Sequence, residues 1–343
     1  MSVCTPFLTP RIRRRKVATQ DPLLLAFDFG GTKHAAAIIA PGERQWREQE
    51  RVLAPAGADA KVDLDIMRSL GRNLLKGRTP AAIGVSFGGP VDAPSGTVRL
   101  SHHVPGWENI PLRALLEEEF GAPVSADNDA NVAALGEYRF GAGKGYSNLF
   151  YITVSTGVGG GWILNGRLWH GTEGMAGEIG HTVVDPAGPR CLCGKRGCVE
   201  RLASGPYIAE GVRSQLLQHP QRGQLLRTLV NDNLEAITCQ LVSQAAQAGD
   251  SLAREAIAKA GWALGVGIGN VANLINPQLF VLGGGVTKSG SHFWQMLRQT
   301  AQKTALPEVH FQVVPATLGD EAPLWGAVAL AEDLLSVGYA SAS

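Results

Sequence analysis

Residues 177–200 hold the densest set of side chains able to do chemistry. Gly177-Glu178-Ile179-Gly180-His181 is followed by Cys191-Leu192-Cys193-Gly194-Lys195-Arg196-Gly197-Cys198-Val199-Glu200. His181, Cys191, Cys193 and Cys198 make a His-x9-Cys-x-Cys-x4-Cys spacing. One imidazole and three thiolates complete a tetrahedral zinc shell and leave no position for a reactive water, so the expected metal is structural. Such an ion would hold the loop in one shape and fix the directions of Glu178 and Glu200, whose carboxylates can accept hydrogen bonds from hydroxyl groups. The competing readings are a disulfide or unrelated buried thiols, with the glutamates as surface charge. A Cys-x-Cys pair closes poorly on itself, and only Cys4 and Cys239 lie elsewhere.

A second chemistry is written in glycine. Asp28-Phe29-Gly30-Gly31-Thr32-Lys33 follows the apolar run Leu23–Phe27 and precedes a second apolar run, Ala35–Ala40, stopped by Pro41-Gly42. That second run is too short for a helix, so the plan is strand, glycine turn, strand. Rossmann and Walker loops both need a helix directly after their glycines and are excluded. The plan returns about 125 residues later: strand Leu149–Ser155, turn Thr156-Gly157-Val158-Gly159-Gly160-Gly161, return strand Trp162–Leu164. A third glycine signal, Gly283-Gly284-Gly285, ends the apolar strand Phe280–Leu282. Backbone N–H groups in such turns can approach phosphate oxygens closely because no Cβ intervenes. Asp28, Thr32, Lys33 and Thr156, with Gly30, Gly31, Gly157, Gly283 and Gly284, are the expected contacts to a nucleotide's phosphates and their Mg²⁺. One glycine run alone would mean a tight turn; three of them point to a nucleotide cleft.

The third candidate is Asp129. It opens a helix directly after a short strand, where the helix dipole favours an ionised carboxylate, although a capping acid would look the same. Asn128 beside it offers a donor and acceptors suited to a sugar hydroxyl.

The elements that must position these groups follow from hydrophobic period and punctuation. An amphipathic stretch near Leu64–Leu75 leads to a strand, Ala82–Val85, and the turn Ser86-Phe87-Gly88-Gly89-Pro90. A helix is expected over Pro111–Phe120, a strand at Val124-Ser125, and a helix from Asn128 to about Gly141. The second half is helix-rich. Gly261, Gly265 and Gly269 give one helix a smooth face for close packing, a helix is expected over Ser291–Thr304, and the last helix spans about Ala322–Leu335. Two glycine hairpins, each with its own α/β material, predict a duplicated architecture with a cleft between the halves.

With 343 residues, 45% apolar, 18% charged and net charge +1, the chain gives no general electrostatic reason to seek nucleic acid or a membrane. The one charge run, Arg11–Lys16, is expected on a solvated tail; without its five positive charges 26 basic residues face 30 acidic ones. The N-terminus lacks the apolar core of a signal peptide, and Ala260–Ile275 is too short and too rich in Gly and Asn to span a bilayer. Cysteines gathered in one metal loop fit a reducing compartment, so the expected location is the cytoplasm.

Taken in order, Asp28–Lys33, Asn128-Asp129-Ala130-Asn131, Glu178-Ile179-Gly180-His181 and Cys191-x-Cys193-Gly194-x-x-Gly197-Cys198-x-Glu200 resemble the signatures of the ROK family of sugar kinases, over about residues 22–335. The resemblance implies an α/β, two-domain actin-like ATPase (ribonuclease H-like) fold with ATP and sugar in an interdomain cleft. The corresponding division is a basic tail at 1–20, a small domain at 21–127 plus 318–343, and a large domain at 128–317 with the zinc loop. It implies Asp129 as catalytic base, with Asn128, Glu178, His181, Glu200 and Gly89 around a hexose. It further implies ATP and Mg²⁺ as cofactors, zinc on His181, Cys191, Cys193 and Cys198, and a homodimer or homotetramer. Departures from the family pattern are Ser155 where glycine is usual, Ser86–Pro90 in place of a small-Pro-Gly-Pro turn, and His103 where Asn is frequent.

The first expectation is therefore phosphorylation of the hexose primary hydroxyl, with glucose ahead of N-acetylmannosamine, fructose, mannose and allose. The second is a non-catalytic sugar-sensing regulator, since the family includes repressors with an added helix-turn-helix. About 20 residues before the first strand are too few for such a module.

Overall fold

The computed structural model describes residues 21–30, 33–101 and 104–340. The basic run, Cys4, Gly31, Thr32 and His103 lie outside them.

The chain builds two five-stranded sheets of one design. In the first, β1 (Leu24–Phe29) pairs antiparallel with β2 (Lys33–Ile39), which carries the edge strand β3 (Glu48–Leu53). After α1 (Ala60–Leu75), β4 (Ala82–Phe87) lies parallel to β1. A two-stranded ribbon, β5 (Val91–Asp92) and β6 (Thr97–Val98), and α2 (Leu112–Phe120) lead to β7 (Val124–Asn128), parallel to β4. The order is β3-β2-β1-β4-β7.

Helix α3 (Asp129–Phe140) then leads to the second sheet: β8 (Leu149–Val154), β9 (Val158–Leu164) and β10 (Arg167–Trp169). A helical block follows, made of α4 (Val199–Ala203), α5 (Gly205–Gln218), α6 (Gln224–Leu229), α7 (Cys239–Gln247) and α8 (Ser251–Ile275). It precedes β11 (Leu279–Gly283), α9 (Ser291–Thr304), β12 (Gln312–Pro315) and α10 (Ala322–Ala340). The second order, β10-β9-β8-β11-β12, repeats the first, antiparallel for three strands and parallel for the rest. The duplication expected from the hairpins is real, and this is the actin-like ATPase arrangement.

Each sheet has its own core on its outer face, α1 and α2 covering one and the α4–α9 block the other. A third core lies between the sheets and holds α3 and α10. Helix α3 rests on β8 and β9, and α10 on β1 and β4. The two helices cross so closely that a Cβ on Gly326 would sit 1.7 Å from the Val132 carbonyl oxygen. Buried Glu137 braces the crossing. Its carboxylate accepts the N–H groups of Ala142 (2.8 Å), Thr317 (3.2 Å) and Leu318 (2.8 Å) and the Thr317 hydroxyl (3.2 Å).

The Gly261/Gly265/Gly269 face does what its spacing predicts: it lies on α9, and a Cβ at Gly269 would be 2.8 Å from the Ala301 carbonyl oxygen. One boundary is corrected. The expected turn at 156–161 is shorter, because Gly159, Gly160 and Gly161 already pair with Thr153, Ile152 and Tyr151 in the β8–β9 ladder. These glycines serve close approach: a Cβ at Gly161 would stand 2.5 Å from the Ala130 carbonyl oxygen, at the mouth of α3. Strand β3 escapes sequence reading because its polar, exposed residues lack an apolar period.

Candidate active site

Strand β7 runs straight into α3, so Asn128 and Asp129 stand at the helix mouth. Asn128 is the N-cap. Its Oδ1 accepts the Ala130 N–H at 3.0 Å, and Asp129 Oδ1 accepts the same N–H at 2.8 Å. The Asn128 Nδ2 donates to Asp129 Oδ1 (3.0 Å) and to the Gly89 carbonyl (3.1 Å). The capping work that Asp129 alone would do is thus shared, and the carboxylate is aligned from two sides. Gly89 belongs here because a Cβ would stand 2.7 Å from the Leu100 carbonyl oxygen.

Asp28, at the end of β1, is the neighbouring carboxylate. Its Oδ1 accepts the hydroxyl of Ser86 at 2.9 Å. Burial pushes its pKa up from 3.8 to about 6; the Ser86 hydrogen bond opposes this, and the negative charge of Asp129 reinforces it. Two acids feeling one another make a site that favours a cation.

The three glycine segments converge. Lys33 Nζ lies 3.9 Å from Asp320 Oδ2, and Lys288, just past Gly283-Gly284-Gly285, lies 3.8 Å from its Oδ1. Both pairs are long and exposed, so they contribute little to stability and leave the lysines available. Gly284, at φ +90°, packs so that a Cβ would be 2.3 Å from the Val154 carbonyl oxygen at the end of β8. Thr156 is exposed on the short turn, beside half-buried Gly157. Gly31 and Thr32 lie outside the described residues.

The 177–200 loop packs against the second hairpin, a Cβ on Gly160 falling 2.9 Å from the Gly177 carbonyl oxygen. Ligand atoms of His181, Cys191, Cys193 and Cys198 all lie within 4.8 Å of one another, and Cys193 Sγ is 3.6 Å from Cys198 Sγ. The His181 Nδ1 is buried and has no hydrogen-bond partner among the described residues. An orphaned imidazole nitrogen beside three converging thiols fits zinc, and the disulfide alternative fails because all the described cysteines are free. Hydrogen bonding from the Lys195 backbone lowers the Cys193 thiol to about 7, while burial pushes Cys198 up to about 12. Backbone bonds set the loop's shape: Cys191 N–H to Lys195 (2.8 Å), Gly194 N–H to Cys191 (3.0 Å) and Val184 N–H to Gly197 (2.9 Å).

The loop delivers both glutamates. Cys198 is the N-cap of α4, which places Glu200 in its first turn. Glu200 Oε2 accepts the Val158 N–H at 2.9 Å and would be 2.8 Å from a Cβ on Gly157, so the 177–200 loop grips the second hairpin. Glu178 caps the turn of 3-10 helix Ile179–His181 and its side chain is exposed.

Two participants were invisible in the sequence. Buried Asp127 accepts the Asn128 N–H (2.7 Å) and the Asn131 Nδ2 (3.1 Å), and its other oxygen contacts His170 Nε2 at 2.5 Å. That hydrogen bond raises the His170 pKa above 6.5. It joins β7 of the first sheet to the loop after β10 of the second. Asp127 adjoins a recognised motif, but nothing local points from it to His170.

Fold and site together define a two-domain ATPase of the actin-like class, with a carboxylate at a helix mouth between two glycine hairpins. The chain belongs to the ROK family, whose model matches residues 24–334. It is 42% identical over 314 residues to the glucokinase of Halalkalibacterium halodurans, covering 89% of this chain and 94% of that protein. It resembles the structure of a ROK family glucokinase from Streptomyces griseus in complex with glucose and AMPPNP, with a TM-score of 0.78, 33% identity, and coverage of 91% of this chain and 99% of that one. It is also 33% identical over 257 residues to the xylose repressor of Caldicellulosiruptor bescii, covering 74% of this chain and 63% of the repressor.

Proposed function

We propose that this protein is an ATP-dependent sugar kinase that transfers the γ-phosphoryl group to the 6-hydroxyl of glucose. The observation that carries the reading is Asp129, aligned by Asn128 at the mouth of α3 beside Asp28 of the phosphate hairpin. Phosphoryl transfer asks a protein mainly for alignment and charge stabilisation. Asp129 accepts the proton of the primary hydroxyl as that oxygen attacks phosphorus. Asn128, Glu178, His181, Glu200 and the Gly89 turn hold the remaining hydroxyls. Gly30, Gly31, Thr32, Lys33, Thr156, Gly157, Gly283 and Gly284 receive the phosphates of ATP, and Asp28 would hold their Mg²⁺, which when bound would supply neutralisation of charge on the transferring group. The zinc ligands orient the glutamates and do no chemistry. Division into 21–127 plus 318–343 and 128–317 gives two bodies that can close on the substrates about the α3–α10 crossing, excluding water. Among the described residues no helix is long and apolar enough to cross a membrane. The composition fits a cytoplasmic protein with no nucleic-acid or membrane partner, and the family resemblance implies a homodimer or homotetramer.

Glucose is favoured over N-acetylmannosamine, fructose, mannose and allose because two glucokinases match nearly the full chain. The regulator reading rests on the repressor likeness, which spans only 63% of that protein. A regulator would not need the acid pair at Asp28 and Asp129. The test is ADP release from Mg·ATP by the purified chain with each of those sugars. Glucose-dependent release with the highest kcat/KM is expected; release with none of them sinks the kinase reading.

A further inference from the structure

Three side chains beneath the first sheet form a buried polar chain that neither the phosphate nor the sugar contacts above require. His34 is 0% exposed, Asp63 3% and Trp107 0%. His34 Nε2 meets Asp63 Oδ1 at 3.0 Å, and Trp107 Nε1 donates to Asp63 Oδ2 at 3.1 Å. A buried carboxylate is costly unless its oxygens are met by donors, and here each is met once. The other His34 ring nitrogen, Nδ1, is buried and has no hydrogen-bond partner among the described residues. Replacing such a polar set with well-packed apolar residues is often neutral or favourable for stability, so the fold by itself does not demand it.

Its position shows what it connects. His34 follows Lys33, whose carbonyl accepts the Gly30 N–H (3.2 Å) and closes the phosphate hairpin; its ring lies 4.8 Å from that of Phe29. Trp107 follows a short turn tied to the start of α1, where the Pro105 carbonyl accepts the Ala60 N–H (2.9 Å), and the Trp107 ring meets Phe87 edge-on at 4.7 Å. Phe87 leads into Gly88-Gly89, with the Gly88 N–H on the Phe29 carbonyl at 2.8 Å and the Gly89 carbonyl on Asn128 at 3.1 Å. Hairpin, imidazole, carboxylate, indole, Phe87, Gly89 and Asn128 thus form one contiguous path.

We propose that His34, Asp63 and Trp107 are positioning residues that tie the phosphate hairpin to the hexose-binding turn, so that nucleotide binding raises the affinity for the sugar. This rests on the sugar-kinase reading. The test measures glucose KM, kcat and the glucose Kd with and without a non-hydrolysable ATP analogue. Trp107→Phe keeps the ring on Phe87 and removes the indole N–H; the glucose KM is expected to rise about fivefold, with kcat within about twofold, from the loss of one buried hydrogen bond. The apolar triple variant His34→Phe/Asp63→Leu/Trp107→Phe leaves no orphaned partner. It is expected to raise glucose KM about tenfold and to reduce the effect of the analogue on glucose Kd to about unity. A folded triple variant with unchanged glucose KM and unchanged coupling overturns the proposal. If the triple variant does not fold, Trp107→Phe decides alone, and an unchanged glucose KM overturns it. An unmodified chain that phosphorylates no sugar takes down both readings, whereas an active one with indifferent variants takes down only this one.

Discussion

The β1–β2 and β8–β9 hairpins share strand order, pairing and a glycine turn, yet they meet different surroundings. The first carries ionisable groups of its own, Asp28 and Lys33, and Asp28 is held at a raised pKa by burial and by Asp129. The second carries the hydroxyls of Ser155 and Thr156 at its tip and is gripped from outside, by Glu200 on the Val158 N–H. Its three strand glycines let α3 and the metal loop press against it. The difference teaches that a duplicated scaffold supplies the same backbone cradle twice, while charge and anchorage are added to each copy separately. The first hairpin presents side-chain charge. The second presents backbone held in place by the 177–200 loop.

That contrast can be broken at several points. The largest effect belongs to the acid between the hairpins. Asp129→Asn should leave the melting temperature within a few degrees but reduce kcat about a thousandfold or more, as loss of a general base does; steady-state kinetics would show it, and a kcat near the parent's would remove the base. Next comes the anchor of the second hairpin. Cys193→Ser, or zinc removal by a chelator, should release the metal and raise the glucose KM at least about tenfold, since ligand and outer partners act together. Metal analysis beside kinetics checks this, and a zinc-free enzyme with parental KM would separate the loop from the sugar.

The first hairpin makes a pH prediction. The folded state holds a proton on Asp28 up to about 6, against 3.8 for the ordinary carboxyl. The folded form thus binds that proton more tightly, and stability falls as pH rises from about 4 to about 6, by no more than about 3 kcal/mol. Asp28→Asn should recover that stability at neutral pH. In the parent, kcat/KM for Mg·ATP should drop about tenfold per unit below pH 6 as the carboxylate is lost. Urea melts and a pH–rate profile test the two halves, and a flat profile from pH 5 to 7 contradicts the assignment. The smallest effect is expected at the tip of the second hairpin, where Thr156→Ala should change the ATP KM only about two- to fivefold, the worth of one neutral hydrogen bond. An ATP KM raised about a hundredfold or more would mean that the hairpins do not divide their work as described. The α3–α10 crossing serves both hairpins alike, and Glu137→Gln there should cost about 3 kcal/mol of stability by presenting an amide to backbone donors.

Much of this was legible in the chain itself. Hydrophobic runs broken by glycine yielded both hairpins and hence the duplication. The His-x9-Cys-x-Cys-x4-Cys spacing pointed to the cluster of one imidazole and three thiols, and Asn128-Asp129 to the helix mouth, because each is written in one short stretch of chain. Only the tertiary structure decided that Gly159–Gly161 lie inside a strand, that Glu200 is committed to the Val158 N–H, and that Asp127 meets His170. It alone decided that Glu137 braces a segment 180 residues away and that His34, Asp63 and Trp107 share one carboxylate. These contacts depend on which elements stack and how closely, which follows from packing over the whole chain and leaves no mark in the spacing of neighbouring residues.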